Sequence, residues 1–277
     1  MAWIQVDFYS NSLCRPVPLN IIIPADDRMR TPAGGKYKTL YLLHGYYGDS
    51  STWLLHCDIA SIAEEYGIAV VMPSGNNDFY VDAPRSGKNM STFISCELVD
   101  FTRRLLPLSD KRDDTILGGY SMGGFGTLYN CFTHSAVFGH GIALSSPMIL
   151  EKEGLDRIGD TPDFMGVTRG YYRELFGEDL DCLPESAYNP RVAAQNLINS
   201  GGEIPNLYIA CGYNDALKFD NRKLCRALDG IGMKYFYEEG PGTHDWDFWN
   251  VYIRRGIEYV LGAEPKLVRH PLWVEKD

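Results

Sequence analysis

The chain has 277 residues, 45% hydrophobic and 22% charged, which are globular proportions that exclude disordered and fibrous classes. A formal net charge of −10 and a pI near 5.1 argue against nucleic acid and anionic membranes, both of which need a basic surface, and favour a small neutral substrate. The length suits one large domain.

Met1 to Asp7 lacks the basic stretch and apolar run of a signal peptide, and no apolar segment approaches membrane-spanning length. Trp3 to Phe8 and Val17 to Ile23 read as an antiparallel strand pair at a sheet edge. Core strands follow at Leu40 to Leu43, Ile68 to Met72, Thr115 to Gly118, Gly141 to Leu144, Leu207 to Cys211 and Lys234 to Tyr237. Between them lie helical stripes: Leu55, Ile59, Ile62 and Tyr66; Ile94, Leu98, Phe101 and Leu105; and finally Trp249, Ile253, Ile257 and Val260. This alternation predicts an α/β fold with a mainly parallel central sheet and helices on both faces. Residues from about 147 to 205 break it; rich in Asp, Glu, Gly and Pro yet holding Phe164, Tyr171, Tyr172 and Phe176, they read as a cap-like insertion or an extended surface connection. The seven cysteines are scattered, odd in number and without zinc-site pairs, which implies free thiols and a cytoplasmic protein.

Gly119-Tyr120-Ser121-Met122-Gly123 follows the strand at Thr115 directly and can open a helix, which is the Gly-x-Ser-x-Gly elbow of an exposed nucleophile. A serine hydroxyl needs a base, and the base needs an acid to orient it, in the chain order Ser, Asp, His. Asp215 stands just beyond the strand ending at Cys211, and His244 lies in the glycine-rich loop after Tyr237, both at the strand edge where parallel sheets bind ligands. The oxyanion donors are then the N–H of Met122 and that of Tyr46 in His44-Gly45-Tyr46-Tyr47-Gly48, with Gly45 as the near alternative. Asp220 is the runner-up acid, while Asp245 and Asp247 read as caps of the last helix.

Other readings are weaker. Ser74, Ser86, Ser145 and Ser146 lack paired glycines and read as turns or caps. His44 is assigned to ordering the oxyanion loop, and His56, His134, His140 and His270 to surface or helix positions. Cys211 reads as a buried small hydrophobe, and of the aromatics near the site Tyr46 and Trp246 are expected to line the substrate pocket. No metal or cofactor is expected, because zinc-ligand spacing, a His-Glu-x-x-His and a phosphate loop are all missing from the sequence.

Tyr41-Leu42-Leu43-His44-Gly45, Val70-Val71-Met72-Pro73, Tyr120-Ser121-Met122-Gly123-Gly124, Cys211-Gly212 with Asp215, and Gly242-Thr243-His244-Asp245-Trp246 together resemble the α/β-hydrolase esterases of the esterase D group, in particular the tributyrin esterase or acetyl esterase type. The resemblance covers most of the chain. It implies Ser121, Asp215 and His244 as the triad, Met122 and Tyr46 as the oxyanion hole, short-chain acyl esters, including acetyl or feruloyl groups on plant polysaccharides, as substrates, and often a homo-oligomer. S-formylglutathione hydrolases of the same fold group tend to carry an aspartate directly before the histidine, where this chain has Thr243. A non-catalytic binding protein on the same fold is the remaining alternative.

Overall fold

Strand alternation decides the layout of this protein, which a computed structural model describes over residues 1–25, 32, 34–163 and 165–263. Phe164 and His270 therefore lie outside the described residues. Ala2–Ser10 (β1), Arg15–Ile23 (β2), Thr39–Leu43 (β3), Ala69–Pro73 (β4), Thr115–Tyr120 (β5), His140–Leu144 (β6), Asn206–Gly212 (β7) and Phe236–Gly240 (β8) form one sheet in the order β1-β2-β4-β3-β5-β6-β7-β8. β1 and β2 pair antiparallel at one edge, β2 runs antiparallel to β4, and every other pairing in the sheet is parallel.

The central strands β3 to β5 are buried along their whole length, so alternate side chains feed two separate cores. Leu40, Leu42, Val70 and Ile116 point to one face, covered by helices Thr52–His56 (α1) and Ile59–Tyr66 (α2) and by the C-terminal helix. Tyr41, Leu43, Val71 and Leu117 point to the other. There Met90–Thr92 widens to π geometry over Phe93–Glu97 and continues as Leu98–Leu105 (α3), beside Met122–Thr133 (α4). Arg169–Phe176 (α5), Pro190–Ser200 (α6) and Lys218–Gly230 (α7) complete that side, and Trp246–Leu261 (α8) is the C-terminal helix.

Most strands end within two residues of expectation, and three elements depart from it in a way that packing explains. The stripe from Leu55 to Tyr66 is two helices, because the chain turns extended at Cys57; Leu55 is 74% exposed, and Trp53 is the buried residue of the first helix. Along the π segment and α3, Ile94 and Leu98 are buried and Phe101 stacks on Phe8 with ring centroids 4.1 Å apart, but Leu105 at the end of the stripe lies half exposed. β8 starts and ends later than predicted, running through Glu238 and Glu239 to Gly240. A strand paired on one side can carry carboxylates, and these two are used: Glu238 accepts from the Tyr208 hydroxyl and Arg255, Glu239 from Arg222.

The segment between β6 and β7 does two things. Its first half, from Pro147 to α5, arches over the C-terminal ends of the strands and walls a cavity there, while α6 packs on α4 in the helical layer. Glu151 ties the halves together, accepting from Asn189 and pairing with Arg191 and Lys223. No helix among the described residues is long and apolar enough to cross a membrane.

Candidate active site

The turn from β5 into α4 leaves no room for side chains on either side of the serine. A Cβ on Gly119 would lie 2.7 Å from the Gly123 carbonyl, and one on Gly123 would lie 2.6 Å from the Leu43 carbonyl oxygen. These are main-chain atoms that cannot step aside. Ser121 itself sits at φ 52°, ψ −119°, a conformation that L residues rarely hold, which lifts its hydroxyl clear of the helix it starts. Gly123→Ala is therefore expected to cost about 1–3 kcal/mol in urea unfolding, as overpacking does, and to lower turnover by displacing the elbow.

His244 comes to the serine from the loop after β8. Its Nε2 lies 3.0 Å from Ser121 Oγ, and its Nδ1 lies 3.0 Å from Asp215 Oδ2. Asp215 follows β7 on a tight turn, with its own Oδ1 accepting from Leu217 N–H at 2.8 Å and its side chain fully buried, whereas the His244 side chain is 34% exposed. Burial alone would raise the Asp215 carboxyl, but hydrogen bonds from His244, Leu217 N–H and the Ser145 hydroxyl outweigh it and hold the group below its ordinary 3.8. The carboxylate is an acceptor only, so the imidazole proton sits on Nδ1 and leaves Nε2 with a lone pair toward the hydroxyl. Ser121, His244 and Asp215 thus stand in one hydrogen-bonded line, an arrangement capable of acyl transfer.

His44, which is completely buried, organises the loop after β3. Its Nε2 accepts from Gly75 N–H at 2.8 Å, so its proton is on Nδ1, which donates to the Gly45 carbonyl at 2.7 Å. Burial lowers its pKa and keeps the ring neutral, as this pattern requires. Gly48 N–H reaches the same carbonyl at 3.1 Å. Because a trans peptide points its N–H opposite to its C=O, pinning the Gly45 carbonyl aims the Tyr46 N–H the other way. Gly45 is the poorer donor candidate, since its main chain hydrogen-bonds the Tyr120 hydroxyl. Met122 stands at the first position of α4, where a helix N–H has no partner within the helix.

Above these groups opens a cavity of about 840 Å³, with Phe79, Met148, Ile149, Met165, Val167 and Tyr172 among its apolar lining. Tyr46 lines it as expected; Trp246 does not. The last helix begins at Trp246, whose ring packs behind the site against Trp53, Tyr120 and His56. One helical turn later, Trp249 lines the cavity and meets the His244 ring edge-on at 5.0 Å. The correction follows from helix geometry: Trp246 and Trp249 share one helix face, their rings 5.2 Å apart, but Trp249 stands one turn further along the axis, and that step brings it to the His244 ring while Trp246 stays against Trp53 and His56.

Asp220, the runner-up acid, accepts the Met148 N–H at 3.0 Å and so braces the cavity wall. Asp245 caps α8 by accepting Phe248 N–H. Ser145, read as a turn residue, is fully buried beside the site at φ 49°; its hydroxyl accepts from Trp249 Nε1 at 3.2 Å and bonds Asp215. A sequence signal existed, since Ser145 directly follows a parallel strand at the ligand-binding edge.

Residues 10–257 match the Esterase family, described as "Putative esterase". The chain is 38% identical over 266 residues to the acetyl esterase of Caldicellulosiruptor saccharolyticus, covering 94% of this chain and 98% of that one. Among solved structures it is similar to FphF, a fluorophosphonate-binding serine hydrolase of Staphylococcus aureus, at 28% identity and a TM-score of 0.82 over 94% of this chain and 98% of that one. It is also similar to the S-formylglutathione hydrolase FrmB of Staphylococcus aureus, at 28% identity and a TM-score of 0.79 with the same coverage. Family match, full-length relative and shared fold agree with the geometry of the elbow: the chain belongs to the Esterase family, in the esterase D group of α/β-hydrolases, and is a serine carboxylic ester hydrolase.

Proposed function

We propose that the enzyme hydrolyses short-chain acyl esters, acetyl esters foremost, through an acyl-enzyme on Ser121. The observation that carries this reading is the unbroken hydrogen-bond path from Ser121 Oγ through both nitrogens of His244 to the buried Asp215, opening on an apolar cavity. Ser121 Oγ attacks the ester carbonyl while its proton passes to His244 Nε2, and the charge on the carbonyl oxygen is met by the N–H groups of Met122 and Tyr46. Collapse breaks the ester C–O bond, and His244 hands the proton to the departing alcohol. Water then attacks the acyl-enzyme, giving its proton to His244, which returns it to Ser121 as the acid leaves. Asp215 holds the tautomer and stabilises the imidazolium. The 38% identity to an acetyl esterase supports the acetyl preference, and the seven free thiols fit a reducing, cytoplasmic setting.

A second reading, hydrolysis of the thioester S-formylglutathione, draws on the likeness to FrmB. Wild type and Ser121→Ala should be compared on p-nitrophenyl acetate, p-nitrophenyl octanoate, methyl ferulate, acetylated xylan and S-formylglutathione at equal concentration. The expected result is Ser121-dependent cleavage fastest on an acetyl ester. A dominant rate on S-formylglutathione would replace the proposal with the thioester reading, and no turnover of any substrate would favour a binding protein.

A further inference from the structure

The oxyanion loop is held from two sides, and only one of them involves His44. That ring fixes the peptide plane entering Tyr46, through the Gly45 carbonyl. The plane leaving Tyr46 is fixed by Asn77, on the loop after β4, whose Oδ1 accepts the Tyr47 N–H at 2.9 Å. With both planes pinned, neither backbone dihedral of Tyr46 is free to turn. Asn77 also faces the overlying segment: its main-chain carbonyl accepts the hydroxyl of Tyr171 in α5. Tyr171 in turn meets the Tyr46 ring edge-on at 6.3 Å, and the Tyr47 hydroxyl donates to the Met165 carbonyl at 2.6 Å. One asparagine thus joins the oxyanion loop to the roof of the cavity.

Backbone strain gathers in the same place. Among the described residues, seven other than glycine have positive φ, and four of them are Tyr47, Asn76, Phe79 and Tyr80, in or beside this clamp. Such conformations persist where their surroundings over-determine them, which is characteristic of sites whose geometry matters.

We propose that Asn77 is a positioning residue of the oxyanion hole, holding the Tyr46 N–H in line through the Tyr46–Tyr47 peptide and coupling it, through Tyr171, to the segment that roofs the substrate. This rests on the acyl-transfer reading above. It predicts that a substrate seated against Met165 and Tyr46 meets an oxyanion donor already aimed, and that loosening the clamp raises the barrier without weakening ground-state binding.

The test compares wild type, Asn77→Ala, Asn77→Asp and Tyr171→Phe on p-nitrophenyl acetate, with circular dichroism confirming the fold. Asn77→Ala should lower kcat about 10- to 100-fold, a fraction of the loss that follows from removing an oxyanion donor outright, with KM within about twofold. The Ki of a trifluoromethyl ketone transition-state analogue should rise by the same factor as kcat/KM falls. The acid limb of the pH profile should not move, because His244 and Asp215 are untouched. Asn77→Asp keeps the acceptor and should restore most of the rate, while Tyr171→Phe, which keeps the ring and loses only the hydroxyl, should give a smaller loss of the same kind. Asn77→Ala with kcat and Ki within twofold of wild type would overturn the proposal, as would an Asn77→Asp variant no better than the alanine. Ser121→Ala in the same series separates the two readings: if it stays active, the acyl-transfer mechanism fails, and if it is silent while Asn77→Ala behaves as wild type, only the clamp fails.

Discussion

Replacing Ser121 with alanine should lower kcat for p-nitrophenyl acetate by about 10⁵- to 10⁶-fold, the scale on which serine hydrolases lose turnover when the nucleophile goes. The substitution removes one oxygen and the hydrogen bond that joins it to His244. It leaves the Cβ that already sits at φ 52°, so backbone strain at the elbow is unchanged. Ser121 is partly solvent-exposed, and no core contact is lost, so the thermal midpoint should move by no more than a degree or two. Stopped-flow assays and differential scanning calorimetry on the same preparation check both halves. A folded variant that retained turnover would remove Ser121 from the mechanism and bring the non-catalytic and alternative-nucleophile readings back into play.

Asp215→Asn should cost about 10⁴-fold in kcat, for a reason visible in the hydrogen bonds. Both carboxylate oxygens face donors: Leu217 N–H at Oδ1 and His244 Nδ1–H at Oδ2. An amide of the same shape must therefore turn its NH₂ toward one of them. Turned to His244, it favours the tautomer with the proton on Nε2, which leaves the imidazole unable to take the proton of Ser121. Turned to Leu217, it sets two donors against each other in a buried site. Asp220→Asn should be mild, since Asp220 holds only the Met148 main chain. The reverse ranking of the two variants would move the acid to Asp220.

The same substitution tests the electrostatics. Asp215 is held below its ordinary 3.8, so it contributes stability that is present above that value and lost as pH falls through the lower folded-state value. The stability difference between wild type and Asp215→Asn, measured by urea unfolding from pH 7 down to pH 3, should therefore shrink toward the acid end. His44 adds to acid sensitivity from the histidine range. Its pKa is lowered from 6.5 by burial, so the unfolded chain binds more protons there and native stability declines as pH drops below that value.

Much of this architecture was written in local patterns. The buried strands β3 to β7 could be recognised because a strand covered on both faces must be apolar throughout, and the elbow because only glycine fits at 119 and 123. Asp215 and His244 were singled out by the requirement that acid and base emerge at the same sheet edge as the serine, and the structure sets both on one hydrogen-bonded line to Ser121. Where sequence patterns misled, the deciding contact lay elsewhere in the chain. Glu238 and Glu239 looked like loop until Tyr208, Arg255 and Arg222 were there to receive them. Leu105 had the right spacing for the core, but the helix ends on it, and the chain turns extended so that Leu106 packs against the core in its place.

Read by itself, the sequence established the fold class and the kind of hydrolase, and it singled out Ser121, Asp215 and His244 as the candidate triad, since these depend on short-range periodicity and on residue types that have few alternative uses. Tertiary structure alone decided which tryptophan lines the cavity, that Ser145 stands beside Trp249 and Asp215, and how Asn77, Tyr47 and Tyr171 tie down the loop after β3. Those contacts join residues separated by up to 118 positions, and their donors and acceptors, an indole N–H, a side-chain amide and main-chain carbonyls, leave no periodic mark along the chain. Their partners become determined only when packing brings distant loops to one edge of the sheet, where each buried polar group must find its complement.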